Sequence, residues 1–357
     1  MSWNQNKSTM QLHIDYPIFQ APMAGGITTA ELVSEVSNNG GLGNLGAGYL
    51  KPEEIRNEIR RIKSQTARPF GVNLFVPPKE IQVNEEQMNA MREILSEFED
   101  ALQLERKDDQ LVEQDLERLF LAQVEEVLQE KVPVCSFTFG IPDQDILQEL
   151  KNQGCLVIGT ATNVEEAVEL EENGMDMIVV QGSEAGGHRG TFHSEKSGFI
   201  GLMALIPQVA DRVRVPIIAA GGIMDARGIA ASLVLGADAV QLGTAFLCCH
   251  ESGAHPAYKE AVLEATEDKT RLTKAFSGKN ARGIYNQFME KMEARNPELP
   301  SYPVQHYLTN RLRKKAAEQN NREFMSLWAG QGIRLVKETS VKNFMKELVE
   351  EVQRIIY

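Results

Sequence analysis

One histidine and one arginine stand among four glycines at residues 181–190, Gln-Gly-Ser-Glu-Ala-Gly-Gly-His-Arg-Gly. Imidazole is the side chain best suited to moving a proton, or holding an anion, near neutral pH. Glycine lets the backbone take positive φ and come close to a flat or anionic ligand. The segment follows the apolar run 177–180 (Met-Ile-Val-Val), which reads as a buried strand. His188 on a pliable loop at the carboxyl end of such a strand is a candidate catalytic residue. An isolated Gly-Gly-His is more often a surface turn, so the rest of the chain has to decide.

Two further glycine-bearing stretches are Ala219-Ala220-Gly221-Gly222-Ile223 and Gln241-Leu242-Gly243-Thr244. Backbone N–H groups at Gly221, Gly222, Gly243 and Thr244, with the Thr244 hydroxyl, are able to converge on a phosphate dianion. The alternative is that these glycines only let helices pack close to a sheet. Asn73 and Gln181 place amides at strand ends, where they can donate to and accept from a flavin or a sugar ring. Met23, with Ala24-Gly25-Gly26, offers a small, soft surface for a flat ring. Each has a plainer alternative, Asn73 as a turn cap and Met23 as core.

These residues need a scaffold, and the hydrophobic pattern supplies one. Short apolar runs at 17–23, 41–46, 70–76, 132–139, 155–161, 177–181, 215–220 and 239–242 alternate with helical patterns at 28–38, 52–64, 143–152, 164–173, 202–210 and 226–235. Such alternation predicts an α/β fold with a parallel sheet buried on both faces. Eight β→α steps over roughly 230 residues match a (β/α)8 TIM barrel, in which phosphate commonly binds after the seventh and eighth strands. An open doubly wound sheet would gather its site at one switch point. Here polar and glycine residues recur at several strand ends, which favours the barrel. The stretch 77–131 is too long for a βα loop and rich in Glu, Gln, Leu and Met, so a helical insertion after strand 3 is expected. The expected organisation is a barrel over 12–249, with the insertion at about 78–131, and a mainly helical extension over 250–357 packing on it.

Composition narrows the function. The chain has 357 residues, 42% hydrophobic, with a net charge of −13. That charge argues against nucleic-acid binding, which needs clustered Lys and Arg. Cys135, Cys155, Cys248 and Cys249 sit in or beside apolar runs without metal-ligand spacing, so buried free thiols in a reducing cytoplasm, and no metal, are expected. No apolar stretch reaches the length of a membrane span. Homo-oligomerisation stays open.

The blocks Gln20-Ala21-Pro22-Met23-Ala24-Gly25-Gly26, 40–49 (Gly-Gly-Leu-Gly-Asn-Leu-Gly-Ala-Gly-Tyr), 70–75 (Phe-Gly-Val-Asn-Leu-Phe), 181–190, 219–222 and 241–246 resemble, in order, the motifs of the nitronate monooxygenase family, formerly called 2-nitropropane dioxygenases. The resemblance runs from Tyr16 to Gly332. It implies an FMN-bearing TIM barrel that oxidises alkyl nitronates, such as propionate 3-nitronate, with O2 to carbonyl compounds and nitrite. It implies His188 as the active-site histidine. It implies Met23, Asn73, Gln181, Gly186, Gly221, Gly222, Gln241, Leu242, Gly243 and Thr244 as cofactor contacts. The blocks 277–283 and 329–332 also look like family segments. Lys279 stands where arginine is expected, and neither block is assigned a role. A flavin-dependent enoyl-ACP reductase shares the Glu-Ala-Gly-Gly-His core, and an NAD(P)H:quinone reductase uses the same scaffold; NADH consumption separates both from a nitronate oxidase. His188 has two roles open to it, as an anion holder or as a base toward a neutral nitroalkane.

Overall fold

A computed structural model describes residues 3–81, 83–105, 116–193 and 198–357. In chain order the first nine strands are β1 (Ile18–Gln20), β2 (Gly43–Gly46), β3 (Phe70–Phe75), β4 (Val134–Thr138), β5 (Leu156–Ala161), β6 (Met177–Gln181), the two-residue β7 (Gly187–His188), β8 (Ile217–Ala220) and β9 (Ala239–Leu242). All but β7 form one eight-stranded parallel sheet in the order β1-β9-β8-β6-β5-β4-β3-β2. The ends of that order meet through a Phe19–Leu42 bridge, with Gln20 N donating to Leu42 O at 3.0 Å. Two buried amides reinforce this short closure. Asn44 N donates to Gln20 Oε1 at 3.0 Å, and Asn44 Nδ2 donates to the Gln20 carbonyl at 2.8 Å. The fold is the expected TIM barrel.

Strand alternation sorts the side chains into two layers. Phe19, Ile158, Met177, Val179, Ile218, Ala220 and Ala239 point into the barrel, whose amino end is plugged by Leu12 and Ile14. Val72, Leu74, Phe137, Val157, Ile178, Val180, Ala219, Val240 and Leu242 face the surrounding helices. Because the period is two, every second residue of a strand faces in, and the inward positions toward its carboxyl end reach the rim. That rule delivers Asn73, Thr138, Thr160, Gln181, Ala220 and Gln241 to one place.

The helices follow from local signals. Thr29 caps Ala30–Asn38 by accepting from Leu32 N at 3.0 Å, and Asp225 caps Ala226–Val234. Thr28, the neighbouring cap candidate, instead ties loops together, its hydroxyl accepting from Gly46 N at 2.7 Å. The two described helices between β3 and β4 have different destinations. Leu116–Gln129 lays Phe120, Val124, Val127 and Leu128 on the barrel as its third outer helix. Glu85–Ala101 instead packs Met91, Leu95 and Phe98 into a second hydrophobic cluster with Phe276, Phe288, Leu312 and Phe324 of the tail.

The tail divides in the same way. Its last helix, Val341–Ile356, inserts Val341, Phe344, Met345, Leu348 and Val352 into the barrel cluster. There it packs against the helices Ala226–Val234 and Ala30–Asn38, so the eighth outer helix arrives about a hundred residues after β9. The intervening chain caps the carboxyl rim. It is not wholly helical: β10 (Thr270–Thr273) and β11 (Ala281–Ile284) form an antiparallel pair to which β7 adds as a third strand. No described helix is long and apolar enough to cross a membrane.

Candidate active site

The carboxyl rim and the cap enclose a cavity of about 1250 Å³ of empty space, its open mouth included. Met23, Asn73, Gln181, Gly186, His188, Gly221, Gly222, Gln241, Gly243 and Thr244 all line it. Leu242 does not. It has the outward parity of its strand, is fully buried between sheet and helices, and reaches the rim only through its carbonyl, which accepts from Ala21 N at 2.8 Å. Among the described residues lining the cavity none is Asp or Glu, although the chain carries a net charge of −13. An anion entering this cavity meets no like charge on its walls.

The glycine-rich loop after β6 is held far more tightly than its composition suggests. Gln181 Nε2 donates to the His188 carbonyl at 3.0 Å, and its Oε1 accepts from Gly190 N at 2.8 Å, so one amide closes the loop at both ends. Arg189 is buried and faces away from the cavity. Its guanidinium donates to the carbonyls of Gln181 at 2.7 Å and Thr162 at 3.0 Å. Buried Glu166 collects Thr162 N at 2.6 Å, the Thr162 and Thr191 hydroxyls, and Phe192 N at 3.2 Å. Pairing with β11 through Gly187 and His188 completes the clamp.

His188 therefore stands on a short strand. Its Nε2 lies 2.9 Å from Ser277 Oγ in the β10–β11 turn. The rings of Trp328, Phe139 and Tyr302 surround it at centroid distances of 5.4, 6.0 and 6.2 Å. Burial under these rings, then the cations Lys279 and Arg313, push its pKa down to about 3. The imidazole of this site is neutral at neutral pH. Phe139 holds φ of 76°, a strained value for a bulky residue, with Lys279 Nζ 5.0 Å above its ring.

Gly221 and Gly222 both have positive φ, 129° and 69°. Gly243 has an ordinary φ of −106°, and a Cβ there would meet nothing nearer than Ala21 Cβ at 3.4 Å. Thr244 Oγ1 accepts from Gly330 N at 2.9 Å, which leaves its own hydrogen to donate. Gly186 is pressed against the tail, where an added Cβ would lie 2.6 Å from Gly330 N. Asn73 Nδ2 is shared among Ser136 O, Ser136 Oγ and Thr138 Oγ1 at 3.0–3.2 Å.

Sequence reasoning missed several residues here. Ser136, Thr138 and Thr160 line the cavity, and inward parity alone was signal enough to find them. Tyr258 and Trp328, which also line it, and Ser277 come from the cap. No local pattern announces them. Buried His306 lies among the aromatic rings beside the cavity. It stacks on Tyr49 at 4.4 Å, one ring back from the cavity, and accepts from Arg313 Nη2 through Nδ1 at 3.3 Å. The four cysteines are free and buried.

A barrel with a rim cavity, glycines at the ends of its last two strands and a neutral imidazole facing in defines a (β/α)8-barrel enzyme. Comparisons with known proteins give the particular family. The nitronate monooxygenase family model matches residues 6–351. Relatives named probable nitronate monooxygenase are 48% identical in Staphylococcus haemolyticus, covering 99% of both chains, and 47% identical in Bacillus subtilis, covering 97% of this chain and 99% of that one. Among solved structures, a nitroalkane oxidase from Streptomyces ansochromogenes is 39% identical with a TM-score of 0.89, covering 97% of this chain and 98% of that one. FabK from Thermotoga maritima is 30% identical with a TM-score of 0.77, covering 99% and 97%. The chain belongs to the nitronate monooxygenase family and is an oxidoreductase.

Proposed function

We propose that this enzyme binds FMN and oxidises alkyl nitronates, propionate 3-nitronate among them, with O2 to carbonyl compounds and nitrite. The observation that carries the reading is the rim cavity without acidic walls, in which the glycine cradle at β8 and β9 and the neutral His188 face one space. The residues present fit a flavin mononucleotide. Backbone N–H groups at Gly221, Gly222, Gly243 and Thr244 would take its phosphate, the Thr244 hydroxyl adding a donor. Met23 and the amides of Asn73 and Gln241 would meet its ring. Gln181 and Gly186 would contribute through the loop they shape, and Leu242 only through its backbone.

When bound, FMN supplies an acceptor for electrons from the nitronate and a partner for O2. The chain's own residues do the rest. The chain from 181 to 192, held by Arg189, Gln181 and Glu166, keeps the imidazole in register. The rings of Phe139, Tyr302 and Trp328 shield it from water. His188, uncharged before substrate arrives, takes the α-proton of a neutral nitroalkane. Buried free thiols fit a reducing compartment, so we place the enzyme in the cytoplasm.

The test is the absorbance spectrum of purified protein, followed by anaerobic titration with a nitronate. Yellow protein that releases FMN on acid precipitation, and is bleached by the nitronate, is expected. Colourless protein that takes up no FMN rejects the reading. Rapid NADH consumption without nitronate turnover would move the enzyme to the reductases on this scaffold.

A further inference from the structure

The nearest polar neighbour of the His188 ring is a residue to which the family resemblance gave no role. Ser277 is 1% exposed and sits in the turn between β10 and β11. Its Oγ makes three contacts: His188 Nε2 at 2.9 Å, the Lys279 carbonyl at 3.1 Å and Lys279 N at 3.3 Å. A hydroxyl has one hydrogen and two lone pairs. Lys279 N brings its own hydrogen and the Lys279 carbonyl brings none, so the three contacts are hydrogen bonds together in only one arrangement. The hydroxyl donates to the Lys279 carbonyl, and its two lone pairs accept from Lys279 N–H and from His188 Nε2–H.

The consequence lies at the other nitrogen. Among the described residues, the ring's one side-chain hydrogen bond is through Nε2. The proton on Nε2 leaves Nδ1 with a lone pair. Trp328, Phe139 and Tyr302 hold the ring on its other sides, which opposes rotation about χ2. The hairpin is itself tied to the histidine's strand by the Ala281–His188 register, so Ser277 and His188 move as one unit.

We propose that Ser277 is a positioning residue: it fixes the orientation and tautomer of His188, with the proton on Nε2, so that Nδ1 is the atom that meets the substrate. The inference rests on the nitronate reading and sharpens it. With a neutral nitroalkane, the α-C–H bond breaks, the proton goes to Nδ1, and the electron pair passes into the nitro group to give the nitronate. The imidazolium and the nitronate are left facing each other as an ion pair, so the anion formed offsets the burial that disfavours a charged ring.

The test reads the tautomer directly and needs no substrate. Ring 15N shifts of His188, assigned by their absence in His188→Asn, are expected to show one neutral form protonated at Nε2 in the wild-type protein. Ser277→Ala should give mixed tautomers, and Ser277→Thr, which keeps the hydroxyl, should restore the wild-type pattern. In turnover, Ser277→Ala should lower kcat on a neutral nitroalkane roughly tenfold to hundredfold, more than on the preformed nitronate, with recovery in Ser277→Thr. A wild-type spectrum protonated at Nδ1, or a Ser277→Ala spectrum identical to wild type, overturns the proposal without touching the proposed reaction. A wild-type enzyme that turns over neither nitroalkane nor nitronate rejects the reaction, while the spectrum still decides the tautomer.

Discussion

Gly330 donates its backbone N–H to Thr244 Oγ1 at 2.9 Å across 86 residues of sequence. The bond pins the cap to the end of β9, at the rim position expected to hold a phosphate. The next residue extends the seam, with Gln331 N donating to the Glu184 carbonyl at 2.9 Å. The two bonds thus join the cap to the cradle and to the loop after β6.

Thr244→Val keeps the shape and removes that acceptor. The buried Gly330 N–H is then unpartnered, which costs about 1–3 kcal/mol, and the cradle loses one donor. Urea unfolding should show the loss in the apoprotein, and FMN affinity should fall as well. A Thr244→Val protein as stable as wild type would show that water replaces the hydroxyl and that the seam is not held here.

The two halves of the glycine cradle should respond differently to alanine. Gly221 has φ of 129°, so Gly221→Ala strains the backbone by about 1–2 kcal/mol besides crowding the cradle. Gly243 has ordinary φ and room for a methyl, so Gly243→Ala should melt near the wild-type temperature yet bind FMN more weakly. Full flavin content in Gly243→Ala would remove β9 from the phosphate site.

Acid stability should carry the mark of two histidines. Burial, and then nearby charges, hold His188 at about 3 and His306 at about 2, against about 6.5 in an unfolded chain. Between those values the unfolded state binds protons that the folded state refuses. Stability is therefore full above pH 6.5 and falls as the pH drops below it, by about 1.4 kcal/mol per pH unit for each ring. His306→Phe should flatten that slope by one proton between pH 6 and 4, measured as denaturation midpoint against pH. An unchanged slope would mean that His306 is protonated in the folded state.

Lys279 is the second cause of the low His188 pKa, after burial. Lys279→Met should raise that pKa, and any acid limb of kcat/KM that reports the neutral ring should move up with it. The variant also loses the bond from Nζ to the Thr191 carbonyl, 2.9 Å long. NMR titration of His188 separates the two effects, because loosening the loop alone would not shift the ring toward protonation while it stays buried. A His188 pKa unchanged in Lys279→Met would assign the depression to burial and Arg313.

His188→Asn keeps a hydrogen-bonding group and cannot take a proton near neutral pH. Activity on neutral nitroalkanes should collapse, activity on preformed nitronates should survive in large part, and FMN content should stay near wild type. Equal loss on both substrate forms would return His188 to the role of anion holder.

The barrel was legible in the sequence because it is written locally. Apolar runs of strand length alternating with capped amphipathic helices leave few topologies, and a period of two fixes which residues face in. That parity puts Asn73, Gln181 and Gln241 at the rim and keeps the Leu242 side chain out of the cavity, although in sequence they are marked only by their place at strand ends and by the family resemblance. Positive φ at Gly221 and Gly222 was likewise readable from residue type. What only the tertiary structure decided is whatever rests on contacts between distant segments. The partner of His188 is Ser277, 89 residues on. Arg189, beside it in sequence, turns into the core to hold carbonyls of Gln181 and Thr162. The eighth outer helix comes from Val341–Ile356, because its apolar seam matches the gap between two helices far upstream. The protonation state of the imidazole was also beyond the sequence, since it is set by burial and by two cations that the folded cap brings to it. Local pattern determines which face of an element is apolar, and only the assembled chain determines what that face meets.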